Sequence, residues 1–500
     1  MKKHSKIISA VLSAAVVAGM AASIACAEEP GIAAGDSIRL YTGQIYEYEW
    51  CDDANCNYAE TSCPQVTLDK ETADQYPKLM DALQELNDQK KTEFHENYQE
   101  ILEDAKERFQ ENPEYFGTFT DAETWYVVRA DRHIVSLLGV RSGYLGGAHG
   151  YSGYAGMNYD PESGKLLKLS ELVAEEGAFK EKVKEEVLSR YPDVEKDLTE
   201  AYFQEKSLDD MIWTAGCEGI TCYFDAYTLG PYAMGTQNVL IPYEGNDAMI
   251  GGAAADAPKN FGVEFPVGES LKVGGRELAV SGEADEYGGY ESISIWLDGK
   301  ETVLNDCESV YSITPFYLRK DGGEYLYLEY SSDNDYRLFD ICRLLEKPER
   351  IDTSFLATAG MFVEDASYTA TAAMSDPENL LLSTRIQLLG TMSGRRSYHV
   401  GDDGMPQANE PYFHIVGERI LTTKKELSCA EVDGEGNETG SMTIPAKTAL
   451  TALRTDNESL FDLSLQDGRI ARVEVSGESF PHTIGGEDIE EIFDGIQFAG

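Results

Sequence analysis

The sequence predicts a multidomain protein of the α+β class, and three observations support this prediction. The chain has 500 residues, which is too long for one ordinary core at about 150 residues per domain. Apolar residues recur at helical spacing between 72 and 110, and this pattern indicates a long amphipathic helix. Beyond residue 262, apolar and polar residues alternate between Asp-Gly turns, so we expect a strand-rich C-terminal half.

The charge of the chain is strongly acidic. There are 89 Asp and Glu residues against 41 Lys and Arg residues, and the formal net charge is −48. Nucleic acids and anionic membrane surfaces are bound through Lys and Arg, so we expect neither as a partner. A cationic protein would be attracted to such a surface, although solubility is a sufficient explanation for most of these carboxylates.

The N-terminus has the pattern of a secretory signal. Lys2 and Lys3 precede an apolar run over 7–24, and Ala25-Cys26-Ala27 fits a small-residue cleavage site. We therefore predict a signal peptide over 1–27 and a protein that is secreted or held at the extracellular face of the envelope. Lipid attachment at Cys26 is the second alternative, because the preceding residues match a lipoprotein box poorly. No later run reaches the roughly 18 apolar residues of a membrane span.

Cysteine usage suggests disulfide bonds. Removing Cys26 with the signal leaves eight of the nine cysteines, an even number in an exported chain. We predict a local Cys217–Cys222 bridge and a Cys307–Cys342 bridge between neighbouring strands. A metal site is the weaker alternative, because the cysteine spacings lack a nearby His or a second CxxC pair. No cofactor is predicted.

Composition and periodicity divide the mature chain into four regions. The first two are a small α+β domain that contains the long helix, over 28–120, and a second α+β domain over 121–245. A Gly- and Ala-rich stretch at 245–260 is the best linker candidate. A β-rich domain over 262–410 and a small domain over 411–500 complete the chain.

Two stretches contain the candidate functional residues. The segment Tyr144–Tyr159 reads YLGGAHGYSGYAGMNY, and the segment Phe224–Tyr243 reads FDAYTLGPYAMGTQNVLIPY. Glycine at this density suits a backbone with positive φ or close packing against another element. The candidate ligand-binding or structural residues are Gly146, Gly147, His149, Gly150, Tyr151, Tyr154, Tyr227, Tyr232 and Gly235.

These stretches carry a resemblance to a known family. GGAHG, an aromatic strand, a D-x-x-x-G turn, an LxLSEL helix entry and the second stretch resemble a bacterial extracellular domain of unknown activity. This domain occurs in the lysozyme-sensing outer region of RsiV-type anti-sigma factors and before the catalytic domain of PdaC-type polysaccharide deacetylases. The resemblance covers about 35–245 and implies an RsiV-like α+β fold. The sequence lacks the sigma-binding segment, the membrane span and the TFDDGP-like motif, so only a sensory or binding role is implied.

The last region has a resemblance of its own. The run AKTALTAL from Ala446, followed by DNES and by FDLSL before Asp467-Gly468, is similar to a bacterial SH3-like β-barrel. The usual final G-W-V strand is replaced by Ala471-Arg472-Val473. This change removes the aromatic residue around which a cell-wall-binding groove would be built.

The chemistry of the chain indicates binding more than catalysis. His149 is the most attractive single residue, but a general base needs a partner within hydrogen-bonding reach, and His133 is the one nearby candidate. We therefore predict no catalytic residue. We expect an exported envelope protein that binds lysozyme or another cationic protein. The alternative is an accessory protein that binds or hydrolyses cell-wall polymer, with His149 near the site.

Overall fold

The protein is a strand-rich α+β structure with several sheets. The computed structural model describes residues 37–498, with the exception of 54, 255, 285–288, 306–309, 332–336, 363–369 and 478–479. Strands make up 48% and helices 20% of the structure. The predicted α+β class with several β-rich parts is therefore confirmed. The predicted signal peptide and Cys26 lie outside the described residues.

The long helix forms where the sequence predicts it. The α-helices of the described residues are α1 (Lys70–Gln75), α2 (Pro77–Glu111), α3 (Leu169–Leu172), α4 (Glu176–Arg190), α5 (Lys196–Glu205) and α6 (Ile489–Ile492). Proline at the first position of α2 has no N–H to leave unpaired. The helix buries one stripe that includes Leu79, Leu83, Phe94 and Tyr98. No helix among the described residues is long and apolar enough to cross a membrane.

Strands make up most of the remaining regular structure. The first strands are β1 (Leu40–Cys51), β2 (Cys56–Leu68), β3 (Phe119–Ala130), β4 (Val135–Tyr144), β5 (Tyr151–Asp160), β6 (Lys165–Leu166), β7 (Ile212–Ala215), β8 (Gly219–Phe224) and β9 (Gln237–Pro242). The next strands are β10 (Phe261–Glu264), β11 (Ser270–Val273), β12 (Arg276–Ala284), β13 (Tyr290–Leu297), β14 (Lys300–Leu304), β15 (Ser312–Lys320), β16 (Gly323–Ser331), β17 (Arg337–Leu344), β18 (Pro348–Phe355), β19 (Thr358–Ala359), β20 (Met361–Phe362), β21 (Ala370–Ala372), β22 (Leu380–Ile386), β23 (Met392–Val400) and β24 (Pro406–Ala408). The last strands are β25 (Phe413–Ile415), β26 (Ile420–Thr423), β27 (Leu427–Val432), β28 (Glu438–Ile444), β29 (Ala449–Thr455), β30 (Leu460–Ser464), β31 (Ile470–Glu474), β32 (Thr483–Ile484), β33 (Glu487–Asp488) and β34 (Phe493–Asp494).

An eight-stranded sheet organises the first half of the chain. Its order is β20-β21-β1-β2-β3-β4-β5-β6, and β2 and β3 are parallel because α2 connects them as a crossover. The predicted boundary at residue 120 falls inside β3, so the two predicted N-terminal regions share one sheet. The edge strands β20 and β21 come from the predicted 262–410 region.

The helix α2 covers one face of this sheet, and a second layer covers part of the other face. Trp125 and Tyr159 pack with Leu79 on the α2 side. On the opposite side, Asn158 donates to the carbonyl oxygen of Trp213 at 2.9 Å. The three-stranded sheet β7-β8-β9 is thereby attached to the large sheet, and it packs with α4 and α5 in one core.

The middle of the chain forms two packed sheets. The five-stranded sheet β10-β15-β16-β17-β18 shares a core with the four-stranded sheet β11-β12-β13-β14. The predicted linker at 245–260 is packed and does not run freely between domains. Ile250 and Ala254 are buried in the core formed by β7–β9, α4 and α5. Arg129 donates to the carbonyl oxygens of Ala254 and Asp256 at 2.9 and 3.1 Å.

The C-terminal strands continue a sheet that begins before residue 411. β22 and β23 pair with one another, and β25 joins them to β29 and the following strands in a twelve-stranded sheet. The core under this sheet includes Ile386 and Met392 together with Phe461. Among the described residues, the strands of 411–500 do not close into the small barrel that the sequence predicted. Instead, β25 pairs with β23 on one side and β29 on the other, so these strands continue a larger sheet.

The predicted Cys217–Cys222 bridge is not formed. Both residues are free. Cys222 is buried with Phe224 in the core of β7–β9, α4 and α5. Cys217 packs against the core of the middle sheets instead, so the two side chains lie in different cores. Cys342 is free and buried, and its predicted partner Cys307 lies outside the described residues.

Candidate functional site

The structure brings the two predicted stretches together. The first forms β5 and the loop before it, and the second forms the connection from β8 to β9. The backbone N–H of Tyr154 donates to Oδ1 of Asp225 at 2.7 Å, which ties the two stretches to each other. Asp225 is the second residue of the second stretch, and it was not among the predicted site residues.

Three ring side chains from these stretches form a surface group, which we call the His149 cluster: His149, Tyr227 and Tyr232. The imidazole of His149 stacks on the Tyr232 ring with a centroid distance of 3.8 Å and an interplanar angle of 20°. The Tyr227 hydroxyl lies 3.2 Å from Nε2 of His149. His149 is exposed and Tyr227 is 60% exposed. The cluster is therefore an aromatic platform at the protein surface.

Hydrogen bonding occupies both ring nitrogens of His149. Nδ1 lies 2.8 Å from the carbonyl oxygen of Gly150. A carbonyl can only accept, so we assign the proton to Nδ1, and Nε2 of the neutral ring accepts from the Tyr227 hydroxyl. His133, the predicted partner, precedes β4 whereas His149 follows it, and it pairs with Asp256 instead. Ten strand residues span about 33 Å, so the two histidines do not form an acid–base pair.

Backbone conformation positions the cluster. Tyr227 has a φ of +70°, which a non-glycine residue rarely adopts. Gly146 has a φ of +74°, and an added Cβ would lie 2.5 Å from the Phe119 ring, so glycine is required there. Gly147 meets no such restriction. Gly235 ends the short 3₁₀ helix Tyr232–Met234 with a φ of +64°.

Tyr151 belongs to a polar network that joins β3, β4 and β5. Its hydroxyl donates to Oδ1 of Asp121 at 2.6 Å, and Arg141 donates to both carboxylate oxygens at 2.7 and 2.6 Å. Burial by itself would raise the pKa of Asp121, but the hydrogen bonds from Arg141 and Tyr151 outweigh it, and the pKa is lowered. Tyr151 is therefore a structural residue of this site.

Tyr154 is a structural residue as well. Its ring is 8% exposed and packs at 4.9 Å from the Tyr223 ring. Its hydroxyl donates to Oε2 of Glu269 at 2.9 Å and lies 3.0 Å from Oγ1 of Thr236, whose hydroxyl can donate to it. Burial raises the pKa of Glu269, and the hydrogen bond from Tyr154 opposes this shift. Through its hydrogen bond to Glu269, Tyr154 links the site to the loop before β11.

The arrangement offers a surface for binding. Among the described residues, no group of three or more His, Cys, Asp and Glu side chains could hold a metal ion. Asp121, Arg141 and Asp225 were not predicted as site residues, since each contacts its partner across at least 20 residues of chain. No local pattern reveals contacts of that kind.

Comparison with known proteins supplies a partial classification. Residues 160–244 match the family model described as "Protein of unknown function (DUF3298)". The match contains Tyr227, Tyr232 and Gly235, whereas His149 precedes it. No curated protein matches the chain.

Two similar solved structures are DUF3298-family proteins. One, from Bacteroides fragilis, is 19% identical and covers 44% of this chain and 96% of its own, with a TM-score of 0.34. The other, from Pseudomonas aeruginosa, is 18% identical and covers 44% of this chain and 97% of its own, with a TM-score of 0.32. The protein is a strand-rich α+β chain, and its residues 160–244 are similar to the DUF3298 family model.

Proposed function

We propose that this protein is an exported, non-catalytic binding protein of the bacterial envelope whose ligand docks on the His149 cluster. The observation that carries the proposal is the His149 cluster, in which the exposed rings of His149 and Tyr227 lie against the half-buried ring of Tyr232 and come from segments 78 residues apart. Exposed aromatic rings are typical anchors of protein interfaces. The hydrogen bonds of His149 to Gly150 and Tyr227 hold the rings in place.

A cationic protein is the partner that we propose. The net charge of −48 favours a partner of opposite charge and speeds its association. The resemblance to the outer region of RsiV-type proteins makes lysozyme the first candidate.

Titration of the mature protein with lysozyme, and with a second basic protein of equal charge, tests the proposal. We expect Tyr232→Ala and Tyr227→Ala to weaken lysozyme binding about tenfold each, as the loss of an interface anchor does. Tyr311→Ala is the matched control for Tyr227→Ala, because Tyr311 is a tyrosine of similar exposure (51% against 60%) in the middle of the chain. Equal binding of both basic proteins that disappears as salt rises would reduce the effect to charge attraction and overturn the proposal.

The second candidate function is binding of cell-wall polymer. The stacked rings of His149 and Tyr232 could hold a sugar ring as well as a protein side chain. Pull-down with purified peptidoglycan, using wild type and Tyr232→Ala, separates this function from the first. Turnover of peptidoglycan fragments that His149→Gln abolishes would instead establish the hydrolytic form of this alternative.

A further inference from the structure

A second group of exposed rings lies on the first strand of the large sheet. Tyr46, Tyr48 and Trp50 are 61%, 66% and 51% exposed, and we call them the aromatic strip. They alternate with Glu47 and Glu49, which pair with His95 and Lys106 of α2. Successive strand residues point to opposite faces, so the strip lies on the face that α2 leaves open.

The strip continues into a row of small and polar residues across the sheet. Tyr46 pairs with Ser62, Ser62 with Ala122, Ala122 with Ser142 and Ser142 with Ser152. Directly paired residues share a face. The row therefore runs over five strands, and four spacings of about 4.8 Å make it roughly 19 Å wide.

The His149 cluster borders the same face on its other side. Tyr154 pairs with Val140, and Val140 with Thr124, which places the Tyr154 ring on this face. Tyr154 packs on Tyr223 of β8 and is bound to Asp225, where the connection that carries Tyr227 and Tyr232 begins. One face of the sheet thus has rings at both borders.

The charge of this face is negative. Glu60 is exposed and pairs with Tyr48. Tyr46 pairs with Ser62, which is two residues from Glu60 along the same strand, so Glu60 lies diagonally across from Tyr46 on this face as well. Asp52 and Asp53 are exposed at the turn that follows β1. The α2 side chains that pair with Glu47 and Glu49 are on the opposite face.

We propose that the aromatic strip and the His149 cluster are two anchors of one interface that receives a single folded cationic protein. This inference rests on the proposed function and extends it to a second surface. Lys or Arg of the partner would lie over the rings of Tyr46, Tyr48 and Trp50, and Glu60 would add an ion pair beside them. A standard interface covers about 800 Å² on each partner, which is roughly 28 Å on a side and spans both groups.

Binding measurements on the full mature chain test the two anchors separately. We expect Tyr48→Ala and Trp50→Ala to weaken binding of lysozyme about tenfold each, while Tyr311→Ala leaves it unchanged. Tyr48→Phe, which keeps the ring, should bind as wild type does. Circular dichroism and the unfolding midpoint establish that each variant is folded, and each substituted ring is more than half exposed.

Hydrogen exchange with and without lysozyme provides a second readout. Simultaneous protection of 44–51 and of 145–154 is the expected result for one interface. Loss of binding in Tyr232→Ala with wild-type binding in both strip variants would overturn this inference and leave the proposed function standing. Protection of 145–154 alone would do the same. Absence of specific binding to wild type would overturn both.

Discussion

At the scale of single residues, Gly143 decides how the candidate site is supported. It lies between Asp121 on β3 and Tyr151 on β5, and the Tyr151 hydroxyl must pass over it to reach the Asp121 carboxylate. A Cβ at this position would lie 2.3 Å from the carbonyl oxygen of Thr120 and 2.5 Å from the Tyr151 hydroxyl oxygen. Since the first of these atoms belongs to the backbone, the clash cannot be relieved by a side-chain rotation.

We predict that Gly143→Ala destabilises the protein by about 1–3 kcal/mol, the usual cost of overpacking, and weakens ligand binding by displacing Tyr151. Urea unfolding of the full chain measures the first effect. Gly147→Ala is the matched control, because the nearest atom to its new Cβ would be 3.8 Å away. Equal stability of both variants would contradict the role assigned to Gly143.

At the scale of elements, α2 completes an interrupted sheet. β2 pairs with β3 only from Ala59 to Ser62, and its later backbone groups need other partners. Asn87 of α2 supplies them: its Oδ1 accepts from the N–H of Val66 at 3.0 Å, and its Nδ2 donates to the carbonyl oxygen of Val66 at 2.7 Å. A side chain on the helix thus takes the place of a neighbouring strand.

Substitution of Asn87 tests this arrangement. Asn87→Ala would leave the N–H and the carbonyl of Val66 without these partners in a buried position. We expect a loss of about 2–5 kcal/mol of unfolding free energy, since each buried unsatisfied group costs about 1–3 kcal/mol. Gln84→Ala, one turn earlier on an exposed part of the same helix, should change the unfolding midpoint little. Equal effects of the two substitutions would refute the assignment.

At the scale of the whole molecule, acidic side chains are enclosed where the N-terminal and middle regions meet. Glu264 at the end of β10 faces Glu329 of β16, and burial followed by the charge of Glu329 raises the pKa of Glu264 to about 8. Burial also raises the pKa of Glu329, although hydrogen bonds from Ala359 and Thr358 oppose the shift. The charge of Glu264 acts on Tyr126 of β3 as well, so this carboxyl lies between the two regions.

This junction predicts a dependence of stability on pH. A carboxyl whose folded pKa lies above its unfolded pKa of 4.5 stabilises the fold below pH 4.5, and that stability is lost as the pH rises toward 8. Glu264→Gln should therefore remove part of the loss of stability between pH 5 and pH 8. Urea midpoints measured across this range check the prediction, with exposed Glu283→Gln as the control for net charge. Parallel pH profiles of wild type and Glu264→Gln would contradict it.

Local patterns in the sequence determined the helix α2, the strand-rich second half and the acidic surface, because these properties depend on neighbours along the chain. The glycine- and tyrosine-rich stretches were also found this way, and the structure places His149 beside Tyr227 and Tyr232. The exposed rings of Tyr46, Tyr48 and Trp50 were not predicted, because their exposure depends on what covers the sheet.

Only the tertiary structure decided which distant segments meet. Strand pairing through β3 placed the two predicted N-terminal domains in one sheet. It also placed β23 in the same twelve-stranded sheet as the C-terminal strands. Cys217 and Cys222 pack in different hydrophobic cores. The Asp225 carboxylate accepts a hydrogen bond from the backbone of Tyr154, which is 71 residues away in the sequence. The physical reason is that, in a long β-rich chain, many alternative strand pairings can satisfy the backbone hydrogen bonds and bury the apolar side chains. The choice among those partners is made by the packing of the whole molecule.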